Sequence, residues 1–334
     1  MERWSNVSNE DINSGRYVFS DIFDVYNYLR IKCGWSFGWY AAPHFEIMEF
    51  EENHLIAVPM PMFPLFRGQN LFYSPSYPSL YRKEMSEFDW IERDVKFEDF
   101  KTILDENPEI KDQKEAGLVV NYKGLAQHYG IDTNIMDLTN SFGVAAFFAT
   151  TYYDPISNCH IPISWSVTKG VIYFMPVGGL FSNTDRKRKE YILPIGMESL
   201  ARPGEQRAYG AELKKGEDFN AICPIRLFFW QNPQASKKCY DYFGGGKLLL
   251  PYDPMAEKIR EMSKYHIYGE DSLHKVIHYS KYDISYEFAK KTLEKRGCHF
   301  YSTTPFKYTN SELEYITNNY HKKYPGSFPD SHRE

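Results

Sequence analysis

The spacing of apolar and polar positions divides the chain into three regions. In residues 1–54, Ile22, Val25, Tyr26 and Leu29 recur at helical period, and Ser20 or Asp21 can cap the start of that helix. In residues 55–240, short apolar runs alternate with helical patterns. Leu65-Phe66-Arg67-Gly68 reads as a strand end, residues 97–104 and 118–129 as helices, and residues 134–138 as a short strand. That strand runs into Thr139-Asn140-Ser141, good N-cap chemistry for a helix over 144–149. Residues 171–175, stopped by Pro176, and 222–230 read as strands, with Phe228, Phe229 and Trp230 as core residues. Residues 241–334 are helical in pattern, with one helix over 285–296 closed by Gly297 and a last one begun at 310–314. Together these elements predict an α+β fold, a mixed central sheet with flanking helices and a helical C-terminal appendage.

Composition narrows the class. A chain of 334 residues, 43% apolar and 25% charged, is globular rather than disordered. Aromatic residues reach 17%, enough to build a core of large rings and to line a pocket for a planar ligand. The net charge of −5 comes without a basic stripe, which argues against duplex nucleic acid. The run Arg186-Lys187-Arg188-Lys189 is short, ends at Glu190 and reads as a solvated turn. The five cysteines are scattered with no C-x-x-C pair, against a disulfide framework or a structural zinc site. The longest apolar stretch, 55–66, is broken by Pro59, Pro61 and Pro64, and the N-terminus lacks the apolar core of a signal peptide. A cytoplasmic protein without a membrane partner is expected.

Five segments carry chemistry. Arg67, set between Phe66 and Gly68, needs a carboxylate or a phosphate if it is buried, and Gly68 leaves room for a ligand to approach the backbone. Pro78-Ser79-Leu80-Tyr81-Arg82 is a rigid turn ending in a second arginine. Gln127 and His128 close a polar helix end, and Asp137, Thr139 and Ser141 ring a helix N-terminus suited to an anion or to ordinary capping. The fifth, Arg202-Pro203-Gly204-Glu205-Gln206-Arg207, is a charged turn. Outside these, His274 and His278 lie one helical turn apart without a third ligand, so no metal is expected there. Gly244-Gly245-Gly246-Lys247 lacks the spacing of a phosphate loop and reads as a flexible turn.

In this order the five segments resemble the FRG-domain family, named for its Phe-Arg-Gly motif. The match runs through Phe66 to Gln69, Pro78 to Arg82, Gln127 to Thr133, Met136 to Phe148 and Arg202 to Gln206, about half the chain. Asn134 stands where the family usually has Arg, and Leu138 where it usually has Trp. The Arg-Gly strand end also resembles, more distantly, ADP-ribosyltransferases of the Arg-Ser-Glu type. That resemblance implies an ADP-ribosyltransferase-like core with NAD as substrate. Arg67 and Gly68 would sit at the NAD phosphates, and Thr139 and Ser141 at the following hydroxyl strand. Arg82, Gln127, His128 and Asp137 would complete the binding site, and Glu205 or Gln206 would take the catalytic place. It further implies an ADP-ribosyltransferase or NAD glycohydrolase with an acceptor macromolecule, and the FRG resemblance implies a bacterial toxin or phage-defence effector. Two other readings stay open. One is a non-catalytic module binding a nucleotide-like small molecule or a partner; in the other, Arg67, Asp137 and Gln206 knit the fold together.

Overall fold

Leu65–Gln69 (β3) sends neighbouring side chains to opposite faces, which places it at the middle of a sheet. Phe66 joins one core and Leu65 another. The computed structural model describes residues 4–32, 38–40, 44–51, 54–176, 192–196, 200–223, 225–279, 282–302 and 305–321. The basic run 186–189 and Cys33 lie outside them. Six strands form the main sheet, in the order β10 (Arg226–Trp230), β7 (Lys169–Met175), β3, β4 (Ile135–Thr139), β9 (Ala208–Glu212) and β8 (Ile192–Pro194). Each neighbouring pair is antiparallel, so the sheet is not the mixed one expected from the pattern. Helices fill the long connection from β3 to β4, but that connection returns the chain in the opposite direction, so no parallel crossover results. A parallel pair occurs instead in the C-terminal region, between Ile267–Gly269 and His299–Tyr301.

One face of the sheet is covered by α2 (Ile22–Lys32), α6 (Phe142–Thr150) and the helix Pro233–Tyr242. Ile22, Val25 and Leu29 of α2 are buried there, and Asp21 accepts from the backbone N–H of Phe23 and Asp24, so it caps the helix. Phe66 sits at the centre, edge-on to Phe142 (centroids 5.6 Å) and stacked on Phe174 (5.6 Å). The opposite face is covered by Val58, Phe219 and Cys223.

A third core joins α3 (Glu87–Asp105), α4 (Pro108–Glu115) and α5 (Tyr122–His128) to the C-terminal helices, through Ile91, Val95 and Phe100 with Ile259, Leu273 and Leu293. The C-terminal helices therefore share a core with the middle of the chain rather than hanging from it as an appendage.

Several elements differ from the pattern for local reasons. The helix expected over 118–129 begins at Tyr122, because Asn121 accepts from Gly124 N and caps it. Ile222 ends a helical turn, Phe219–Ile222, and the strand begins at Arg226. Trp230 ends an edge strand and is 42% exposed, with the Lys169 ammonium 5.0 Å from its ring centroid, so it is not core. Gly68 has a packing task besides the one expected. A Cβ there would overlap the carbonyl oxygen of Ala145 and come within 3.0 Å of Ala149 Cβ. The glycine lets α6 lie directly on β3.

Gly68→Ala is expected to destabilise the protein by about 3 kcal/mol, because the obstruction is helix backbone that cannot rotate away. Urea unfolding measures this. A midpoint equal to that of the unsubstituted protein would show that α6 does not rest on Gly68.

Candidate functional site

Among the described residues, β3 and β4 register through a single pair, Phe66 with Thr139. Beyond it the strands diverge, and a cleft of about 280 Å³ opens between them. Arg67 spans the split: Nη1 donates to the backbone carbonyl of Asp137 at 2.8 Å and lies 4.0 Å from Asp137 Oδ2. Burial is the largest influence on this guanidinium and lowers its pKa, with the charge of Asp137 opposing. Arg82 also lines the cleft. Its Nε donates to Tyr77 O (3.0 Å), and its side chain is exposed.

Asp137 is held by a chain of hydrogen bonds from behind. Ser79 accepts from Thr133 N (3.3 Å), the Thr133 hydroxyl donates to Gln127 Oε1 (2.6 Å), and Gln127 Nε2 donates to Asp137 Oδ2 (3.3 Å). Because Thr133 fixes the amide orientation, Gln127 presents its NH₂ to the carboxylate. A second chain orients His128. Gln206 Nε2 donates to Leu249 O (3.0 Å), which leaves Gln206 Oε1 to accept from His128 Nδ1 (3.1 Å). Burial lowers the His128 pKa, outweighing Asp137 and Gln206, so the imidazole is neutral with its lone pair at Nε2. That nitrogen faces Asp137 Oδ1 across 3.9 Å. Arg67 Nε, His128 Nε2 and Asp137 Oδ1 are all shielded from water and lack a hydrogen-bond partner.

The structure thus brings Arg67, Gly68, Arg82, His128, Asp137, Thr139 and Gln206 to one cleft. Gln127 stands behind it and positions Asp137. The hydroxyls of Thr139 and Ser141 are engaged in the turn into α6: Thr139 accepts from Ser141 N (3.0 Å) and Ser141 from Val144 N (3.4 Å). Glu205 does not line the cleft. The Arg202–Gln206 segment belongs to a helix, α7 (Ala201–Gln206), rather than to a turn, and successive residues on a helix point about 100° apart. Gln206 therefore faces the cleft, while Glu205 is buried and accepts from Tyr40 OH at 2.7 Å. The two departures from the family pattern are also placed. Asn134 donates to Glu212 Oε1 (3.0 Å) and Leu213 O (3.1 Å), and Leu138 is buried in the core beside the cleft.

The sequence pattern missed the hairpin β5 (Thr151–Asp154) and β6 (Cys159–Pro162), which supplies Thr151, Tyr152, Tyr153 and His160 to the wall. Strand residues of mixed polarity around a turn carry little periodic signal. A cluster of Glu92, His266 and Cys298, with donor atoms within 4.8 Å, was equally invisible. It is closed by hydrogen bonds to the carboxylate from His266 (2.7 Å) and Tyr268 (2.9 Å).

Residues 64–157 match the family model of the FRG domain, which covers the cleft-forming strands, α6 and part of the hairpin. No curated protein and no solved structure matches the chain.

His160 donates from Nδ1 to the Thr151 hydroxyl, which itself donates to Phe147 O (2.8 Å), and burial pushes its pKa down to about 4. Between pH 6.5 and 4 the unfolded chain takes up a proton that the folded one refuses, so stability is expected to fall as the pH falls through this window. His128 acts in the same sense. Urea midpoints at pH 7 and pH 5 should show a smaller loss in His160→Gln, by up to about 1.4 kcal/mol per pH unit. Equal losses in both proteins would refute the assignment.

Proposed function

We propose that the cleft binds a nucleotide and that the protein acts on NAD, cleaving the bond between nicotinamide and ribose as an NAD glycohydrolase or ADP-ribosyltransferase. One observation carries the binding part. Three side chains that line the cleft, Arg67, His128 and Asp137, each keep a buried polar atom without a protein partner: the donor Arg67 Nε and the acceptors His128 Nε2 and Asp137 Oδ1. Buried polar atoms without partners are costly, and a ligand offering both kinds of group removes the cost. A ribose phosphate does so: its phosphate suits Arg67 and Arg82, and its hydroxyls suit the two acceptors.

The catalytic part rests on Asp137. Glycosidic cleavage of NAD passes through an oxocarbenium-like state and needs the phosphates held and a carboxylate near the developing positive charge. In this reading Asp137, oriented by Gln127, takes the place that the distant resemblance assigns to Glu205. A second reading, binding without turnover, is favoured by a specific observation: the α7 residue facing the cleft is the uncharged Gln206. As a toxin or defence effector, the protein would slow bacterial growth on expression, and Asp137→Asn would relieve that effect.

The experiment is incubation with labelled NAD, alone and with cell extract. Nicotinamide release or label transfer is expected from the unsubstituted protein. The rate should be about 100-fold lower in Asp137→Asn and reduced in Arg82→Ala, whose exposed side chain keeps the fold out of question. NAD that binds but is never cleaved would leave the non-catalytic reading standing. NAD that does not bind would refute both.

A further inference from the structure

Beyond His128 the cleft adjoins a second chamber of about 840 Å³. His128 from α5, with Tyr153 and His160 from the hairpin, borders both spaces, so the two meet along a shared wall. The far walls come from Arg202 of α7, the turn 245–247 and the helix Pro254–Tyr265.

The chamber is cationic in a chain whose net charge is −5. Among the described residues that line it, Arg202, Lys247 and Arg260 stand against the single carboxylate of Glu257, which pairs with Arg260. The Arg202 guanidinium lies 5.7 Å from the Tyr129 ring centroid, and its Nε is shielded and without a hydrogen-bond partner. Asp253, which feels the Arg202 charge, is already engaged by Tyr129 OH (2.6 Å) and Met255 N (2.9 Å). Lys247 is delivered by the glycine turn. Gly244, Gly245 and Gly246 take φ of 58, 72 and 86°, a left-handed run that other residues resist, and Gly246 packs against Phe147. The motif set aside in the sequence thus places an exposed ammonium on the chamber wall.

We infer that cleft and chamber form one elongated site for a dinucleotide, with its second phosphate and second nucleoside held in the chamber at Arg202 and Lys247. The inference rests on the nucleotide reading of the cleft and extends it. Size is in keeping with it. Ligand pockets commonly run about 300–1,000 Å³; the cleft of about 280 Å³ lies at the lower end of that range, and the adjoining chamber adds about 840 Å³. Charge supports it, because a cation-lined hollow on an acidic chain concentrates anions. The rings of Tyr153, Tyr240 and Tyr252 offer flat surfaces for a base.

Calorimetric titration of the full chain with ADP-ribose and with ribose 5-phosphate, the half that fits the cleft, tests it. ADP-ribose should bind about ten-fold or more tightly than ribose 5-phosphate. Arg202→Gln and Lys247→Gln should each erode that advantage while leaving ribose 5-phosphate affinity within about two-fold. Lys247 is exposed, so its variant separates loss of the contact from loss of the fold. Equal affinities for the two ligands, or variants that weaken both ligands alike, would overturn the chamber assignment and leave the nucleotide cleft intact. Binding of neither ligand would overturn the nucleotide reading and this inference with it.

Discussion

The Arg67 guanidinium bridges two strands that have stopped pairing. Where β3 and β4 diverge, the carbonyl of Asp137 loses its ladder partner, and a buried carbonyl without a donor is costly. Arg67 supplies the donor from a side chain, so the sheet can open at its middle without leaving that group bare. A charge is thereby fixed at the mouth of the opening, close to a carboxylate that steadies it without closing on it. A fully formed ion pair would have sealed the split. At 4.0 Å the pair leaves the remaining nitrogen and oxygen atoms unspent.

The rest of the site follows from holding that opening rigid. Two separate relays end on the two acceptors, one through Ser79, Thr133 and Gln127 to Asp137, the other through Leu249 and Gln206 to His128. Each relay links segments far apart in sequence, so the site is assembled by the tertiary fold and not by any one loop. Side chains oriented in this way lose little entropy when a ligand arrives, the condition for tight and specific contact. The same relays account for the Pro-Ser-Leu and Gln-His-Tyr-Gly segments: Ser79 and Gln127 act behind the cleft, while Arg82 and His128 line it.

Local chemistry in the sequence marked β3, β4, β7 and α6, because their apolar runs and caps are complete within a few residues. Arg67, Arg82, His128 and Asp137 of the cleft were marked too, since such side chains beside apolar residues demand partners. What could not be read was direction. Glu205 and Gln206 are neighbours in the chain, and only a helix at that point sends one inward to Tyr40 and the other to the cleft. The antiparallel order of the sheet depends on where long connections return, which no local pattern records. The uniform apolar run ending in Trp230 concealed that its last residue lies at an exposed sheet edge.

The Phe-Arg-Gly tripeptide has three jobs within ten ångströms of chain: a ring at the centre of one core, a bridge across the split, and a bare backbone under α6. Two of those jobs are architectural, and the third is partly so. A chain that had lost every ligand and every reaction would still need all three residues to fold around the opening. The tripeptide is therefore a mark of architecture, and a descendant could carry it unchanged as an inert scaffold. On the proposed reading, activity would be diagnosed elsewhere, by whether Asp137 and Arg82 persist beside it.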